Sequence, residues 1–391
     1  MRLVRGDEEC DIQLEGRIVR IDQATVIRRD SVDAARVAVD EVVAERLAAG
    51  FVEAVDPILD REARLVFADE LQLRGDPLGE LITVQHELDQ LPSTVDPRQR
   101  RRVENRADGI IDANHDAWFG SLARYVRKPS RKGPAIPSVE IVWRLGYAEE
   151  VHLRGVSQLP IDDAYARLRE LPLSRQILRL VVGDPYQSFA VDSPSYEALL
   201  AAMLAHGIPS RLRELVFGAD QPHRRPGIRL GDLRPVVAAA TALEVLRVVG
   251  GHGELGIESP TLRTLEISDI VPADLRQLAA TRLPALSELV VHARTPLGPP
   301  RLDHFPALAH VTLDNFTRGG AGVVSLVEHV AAIPSVRTLV LRRCELDDRE
   351  LTALLAAPER YAHLTRIDLR HNQFSRALLT RAKRALPNLR A

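Results

Sequence analysis

The stretch Leu364-Thr365-Arg366-Ile367-Asp368-Leu369-Arg370-His371-Asn372-Gln373-Phe374 carries apolar residues at its first, fourth, sixth and eleventh positions and an asparagine at its ninth. Ile367 and Leu369 are two residues apart, so in an extended segment both point to one side, while Arg366, Asp368 and Arg370 point to the other. Going back along the chain, the same apolar triplet recurs: Val336, Leu339, Leu341; Leu308, Val311, Leu313; Leu286, Leu289, Val291; Leu262, Leu265, Ile267; Leu243, Leu246, Val248; Leu212, Leu215, Phe217; Ile177, Leu180, Val182; and Ala148, Val151, Leu153. Successive triplets start roughly 19 to 35 residues apart, mostly in the twenties. One such unit cannot bury its apolar side alone, and stacking about nine of them in parallel can.

These units resemble the leucine-rich repeat family, the last one most fully because Asn372 and Phe374 stand where the family places its asparagine and next apolar residue. The resemblance implies a solenoid with a parallel sheet on its concave side and helices and loops on its convex side. It also implies that the asparagine bonds backbone groups at the turn after a strand. Most units lack that residue, so their turns need other partners. Helical spacing over Ser195 to Leu204, Asp274 to Leu278, Val323 to Val330 and Asp348 to Leu355 favours the ribonuclease-inhibitor-like subclass. The Pro- and Gly-containing gap from Gly218 to Pro235 reads as a loop insertion or a lost repeat.

N-terminal to the repeats the pattern changes. Cys10 to Leu14 and Arg17 to Ile21 alternate around Glu15-Gly16, and Ala35, Val39, Val42, Val43 and Leu47 follow at helical spacing, with Gly50 as the stop. The run from Ala34 to Glu53 resembles the C-terminal half of the WGR domain, although the Trp-Gly-Arg motif itself is missing. Next, Leu65, Val66, Ala68 and Leu71 end at Gly75, while Asp76 and Pro77 make a cap and first turn for a second helix. Arg64 to Asp69 followed by Arg74 to Glu80, together with Trp118 to Leu122, resembles the bacterial repeat-companion domain. Asp69, Asp76 and Glu80 read as structural, since capping and the helix dipole explain them better than acid–base chemistry. Residues 92 to 137 read as linker or a solvated helix face, despite Arg98, Arg100, Arg101, Arg102 and Arg106. The expected organisation is a WGR-like ββα segment over 1–55, a helical companion region and linker over 56–135, and the solenoid over 136–391. The fold class is α/β with a small α+β N-terminal region.

Composition limits function. Fifty-two basic and 54 acidic residues leave a net charge of −2, so no global field attracts nucleic acid or an anionic membrane. Arginine supplies nearly all the positive charge, lysine occurring only at 128, 132 and 383, a bias that suggests a bacterial source. Cys10 and Cys344 have no zinc or disulfide spacing, the N-terminus lacks a secretory apolar core, and no membrane span is evident, so a cytoplasmic protein is expected. Gly250 to Gly253 lacks the Lys-Ser or Lys-Thr of a phosphate loop, and no nucleophile motif is present.

The expected function is therefore non-catalytic recognition of a protein partner through the concave face, without cofactor or metal. The alternative is a nucleic-acid module acting through the WGR-like and Arg-rich segments. An enzyme of unrecognised type comes third. Outward strand positions give the candidate partner-binding residues Val216, Arg247, Glu266, Glu288, Val290, His292, His310, Asp314, Val340, Arg342, Arg366, Asp368 and Arg370. The valines suit either an anchor stripe or ordinary strand packing. His292, His310 and Asp314 suit polar surface better than a metal site. The terminal arginines suit either an acidic partner or solvated strand charge. Asp69, Gly75, Asp76, Pro77 and Asn372 are the structural-motif residues.

Overall fold

The computed structural model describes residues 61–128, 138–183, 195–218, 228–249, 253–270, 276–293, 302–315 and 333–390, less 157, 279 and 345, together with strand segments between residues 2 and 53. Two compact units are present, Met1–Arg64 and Leu65–Ala391. The helical segment and the repeats thus belong to one unit. No helix among the described residues is long and apolar enough to cross a membrane.

The first unit is an antiparallel sheet of five strands, Arg2–Arg5, Glu8–Glu15, Ile18–Ile21, Thr25–Arg28 and Val52–Glu53. The expected pair around Glu15-Gly16 is its centre, with Leu14 opposite Val19. A ββα reading of this segment undercounts the strands, because Arg2–Arg5 and Thr25–Arg28 are too short to carry a clear alternation. The helix expected over Ala35 to Leu47 lies outside the described residues except for Val42, which is helical.

The second unit begins inside the helix Arg61–Leu73, passes Gly75 at φ 72°, and continues with Pro77–Gln90, whose first turn is capped by Asp76 Oδ1 accepting from Leu78 N at 2.9 Å. Asp69 is exposed on the first helix. The two helices meet at Gly79, where a Cβ would stand 2.5 Å from the Ala68 carbonyl oxygen. Of the two readings of residues 92–137, linker or helix face, the helix holds over Pro97–Phe119, 23 residues with Asp96 as cap. Val103, Ala107, Ile110, Ile111, His115 and Phe119 form its buried stripe. Its arginine-rich first turns hide that stripe in the sequence, and Arg106 is held by Glu87 at 3.2 Å. Trp118 packs on Trp143, ring centroids 5.4 Å apart, which seats the helices on the first hairpin of the main sheet.

That sheet has eleven strands, β1 (Val139–Arg144), β2 (Tyr147–Leu153), β3 (Arg179–Val182), β4 (Glu214–Phe217), β5 (Val245–Val249), β6 (Thr264–Ile270), β7 (Glu288–Ala293), β8 (His310–Asp314), β9 (Thr338–Arg342), β10 (Arg366–Asp368) and β11 (Leu389–Arg390). They lie side by side in chain order. β1 is antiparallel to β2, and every later pairing is parallel. β1 covers the edge that β2 would otherwise leave open, and its turn uses Gly146 at φ 77° because Ile82 fills the space a Cβ would need.

The register puts the triplets in line. Val151, Leu180, Leu215, Leu246, Leu265, Leu289, Val311, Leu339, Ile367 and Leu389 are successive partners, and all are buried. Helices Ile161–Glu170, Glu197–Ala205, Arg234–Ala239, Asp348–Ala356 and Arg376–Ala385 return the chain between strands, and their buried residues join the same core as the inward triplets. Two of these match the expected helices near 195 and 348. The stretch 323–330 and residues 274 and 275 lie outside the described residues, while 276–278 are helical as expected. The gap after Gly218 holds the short strand Gly231–Asp232, which pairs in parallel with Gly253–Glu254 from the segment after β5. Fully burying one leucine or valine contributes about 1.5–3 kcal/mol, whereas an exposed ion pair contributes about 0–1 kcal/mol. The inward triplets therefore hold the array together, and the outward side chains are left to decide what it presents.

Candidate functional site

Each strand from β2 to β10 turns two or three side chains away from the core, and the register lines these up in rows across the sheet. The first row runs Glu150, Arg179, Glu214, Val245, Thr264, Glu288, His310, Thr338, Arg366. The second runs His152, Val181, Val216, Arg247, Glu266, Val290, Thr312, Val340, Asp368. A third, at the ends of the longer strands, runs Val249, Ser268, His292, Asp314, Arg342. Twelve of the thirteen candidate partner-binding residues lie in these rows, and Arg370 follows the end of β10.

A ladder of opposite charges ties the rows together. His152 meets Glu150, and Arg179 bridges Glu150 at 3.0 Å to Glu214 at 3.3 Å. Arg247 bridges Glu214 at 2.7 Å to Glu266 at 3.2 Å. His292 then lies 3.6 Å from Glu266 and 3.5 Å from Asp314, and Arg343 grips Asp314 with two guanidinium nitrogens. The side chains are a fifth to two fifths exposed over most of this run, so the ladder orders them more than it stabilises the fold. The neighbouring His292 holds the Glu266 carboxyl below its ordinary range, with the charges of His292 and Arg247 assisting and burial opposing.

At the C-terminal end one carboxylate collects three arginines. Asp368 is fully buried and accepts from Arg342 at 3.0 Å, Arg366 at 2.7 Å and Arg370 at 2.8 Å. Burial alone would raise its pKa, and the hydrogen bonds from Arg370, Arg366 and Arg342 reverse this, holding it far below the usual carboxylate range.

Four candidate residues are less available than their outward register implies. Val216 and Val340 are 6% exposed, Asp314 5% and Asp368 0%. The valines are short side chains between longer paired neighbours, and the two aspartates are covered by the arginines that bind them. Of the five outward valines that could form an anchor stripe, Val181, Val216 and Val340 are buried and fail on this ground, while Val245 and Val290 stay half-buried. Asp314 is likewise not a charge that can be reversed with the fold intact. Arg247, Glu266, Glu288, His292, Arg342 and Arg366 are half-buried, and His310 and Arg370 are exposed. His310 stands at the opposite end of β8 from Asp314, roughly 13 Å along the strand, so His292, His310 and Asp314 do not converge.

Asn372 sits at the turn after β10 and serves two repeats at once. Its Nδ2 donates to the carbonyl oxygens of Leu341 and Leu369, each at 2.8 Å, and its Oδ1 accepts from Cys344 N at 2.9 Å and Leu346 N at 3.3 Å. Cys344 occupies the equivalent place one repeat earlier, three residues after Leu341, and its thiol donates to the carbonyls of Leu313 at 3.5 Å and Arg342 at 3.2 Å. Sequence reasoning missed that role, although Leu339-x-Leu341-x-x-Cys344-x-Leu346 was there to give it. It also missed Arg343, which lies past the strand at φ 52° and reaches back to Asp314.

Among the described residues no group of three or more His, Cys, Asp or Glu side chains could hold a metal ion. No family model matches the chain, the WGR-like and companion-like segments included, and no curated protein matches it. Among solved structures it is similar to a crystal structure of a Bacteroides fragilis protein, at 16% identity over 100% of this chain and 95% of that one, with a TM-score of 0.48. It is also similar to an internalin from Listeria monocytogenes, at 14% identity over 61% of this chain and 85% of that one, with a TM-score of 0.28.

Proposed function

We propose that this chain is a non-catalytic recognition scaffold, a leucine-rich-repeat solenoid of cytoplasmic location that binds a protein partner through the outer face of its parallel sheet. The observation that carries this reading is the charge ladder from His152 to Arg343, which crosses seven strands and fixes its side chains before anything binds. Side chains already held in place lose little further freedom on docking, which removes one of the main costs of forming an interface. A face of alternating charge also discriminates, since a partner of the wrong pattern meets like charges and must leave the ladder's carboxylates desolvated. The asparagine turn at Asn372 supports the repeat assignment, because it closes hydrogen bonds between neighbouring units as that fold requires.

The test is affinity capture from a native extract with the full chain and with the variant Glu288→Lys/Thr312→Arg. Both residues are half-buried on the outer face, and neither belongs to the ladder. Retention of a protein by the parent chain, its loss from the variant and an unchanged melting curve support the proposal. Equal retention by both moves the interface off this face. Nucleic acid as the retained species, released steeply by salt, favours the Arg-rich helix Pro97–Phe119 instead.

A further inference from the structure

The outer face is charge-balanced along most of the ladder and unbalanced at its end. Between β2 and β8 each acid of the ladder lies between arginine or histidine partners, and each of its arginines between two acids, Glu288 standing outside it. Around β10, Arg342, Arg366 and Arg370 share the single carboxylate of Asp368, and Arg390, the register partner of Asp368 on β11, adds an exposed fourth arginine on the same face. Asp368 has no exposed side-chain surface, while the three arginines that bind it keep 34%, 36% and 47% of theirs. Among the described residues the Nε atoms of Arg342 and Arg366 are buried with no hydrogen-bond partner, as are those of Arg179 and Arg247 within the ladder.

We infer that this end of the sheet is a docking site for an acidic protein segment, an extended run of Asp and Glu side chains; the inference rests on the recognition role proposed above. Guanidinium groups take carboxylates in planar, two-point contacts, and here the buried aspartate already holds three of them in position. They project from adjacent strands about 4.8 Å apart, and side chains on one edge of an extended peptide repeat about every 7 Å, so several carboxylates can each reach an arginine. The patch is narrow. Toward the centre of the sheet the excess ends, because Asp314 is already taken by Arg343 and Glu266 by Arg247 and His292, while Glu288 stands outside the ladder and repels a long polyanion continuing along the rows. A short acidic segment uses the excess of arginine without running onto the balanced pairs and Glu288 beyond it, whereas a nucleic-acid strand continuing along the rows does not.

The experiment is fluorescence anisotropy of labelled octaglutamate with the full chain at low salt, beside a labelled thymidine octanucleotide. Saturable octaglutamate binding is expected, weakening as salt rises. Arg370→Gln/Arg390→Gln should weaken it about tenfold or more with an unchanged melt, and Arg390→Gln alone should weaken it severalfold should the double variant melt early. Arg213→Gln/Arg263→Gln, which removes two exposed arginines at the entry ends of β4 and β6, should leave binding unchanged. No saturable binding, equal losses in both double variants, or an octanucleotide that binds as tightly and depends on the same arginines would each overturn the inference. A parent chain that ignores octaglutamate yet still captures its partner through the Glu288 region sinks this site alone and leaves the scaffold reading standing.

Discussion

Replacing Asn372 by alanine removes one side chain and strands four backbone groups. The carbonyls of Leu341 and Leu369 lose a donor, and the amides of Cys344 and Leu346 lose an acceptor. All four belong to buried residues, so water replaces the lost partners poorly. At about 1 kcal/mol for each group left without a partner, the loss is about 4 kcal/mol, reduced to about 3 kcal/mol because Asn372 itself is half-exposed and admits some solvent. A stacked array opens unit by unit, so the sensitive measurement is native-state hydrogen exchange at the Cys344 and Leu346 amides. Their protection should fall about a hundredfold, while the Leu215 and Leu246 amides, several strands away, should change little. Asn372→Asp keeps the acceptor but turns a carboxylate toward two carbonyl oxygens, so near neutral pH it should be at least as damaging as alanine. Exchange at Cys344 and Leu346 within twofold of the parent in Asn372→Ala would refute the assignment of these bonds.

Three further outcomes are expected. The Asp368 carboxyl has its folded pKa below its unfolded value of about 3.9, so the unfolded chain takes up the proton first and this stabilisation, complete above about pH 4, is lost as the pH falls further; Asp368→Asn should cost about 3 kcal/mol at pH 7 and flatten acid unfolding, and identical acid profiles would contradict it. Gly79→Ala places a methyl against the Ala68 carbonyl and should cost about 1–2 kcal/mol net of the better helix propensity, read as a lower urea midpoint; an unchanged or higher midpoint would mean the helix pair separates freely. Asp76→Ala and Asp96→Ala should each lower stability by about 1 kcal/mol through loss of a helix cap, with partner capture intact, and a variant that keeps its stability but loses capture would make the hairpin an interaction site.

Much of this molecule can be read without coordinates. The line from Val151 to Leu389 is written in the chain because burial imposes a period of two on each strand and a return roughly every twenty to thirty-five residues, and a one-residue slip would turn every leucine to water. Asp76-Pro77 declares a helix start for an equally local reason, since cap and first turn are neighbours in sequence. Asp96-Pro97 declares one in the same terms, but the arginines that follow obscure the apolar stripe it introduces. Cys344 was legible only to a reader who let a thiol stand in the asparagine position.

Other features belong to the tertiary structure alone. Asp314 and Asp368 stand at outward positions, and their own segments give no reason for burial; they are covered by Arg343 and by Arg342, Arg366 and Arg370, some of which arrive from the neighbouring strand. The ladder joins residues as much as 35 positions apart, Arg179 to Glu214 among them, through a register that only the packed helices and loops between strands can set. Local periodicity therefore determined which side chains face the core and which do not. Which outward side chains stay exposed, and which charge neutralises which, was decided by strand-to-strand register, because electrostatic pairing depends on distances in space that the sequence does not contain.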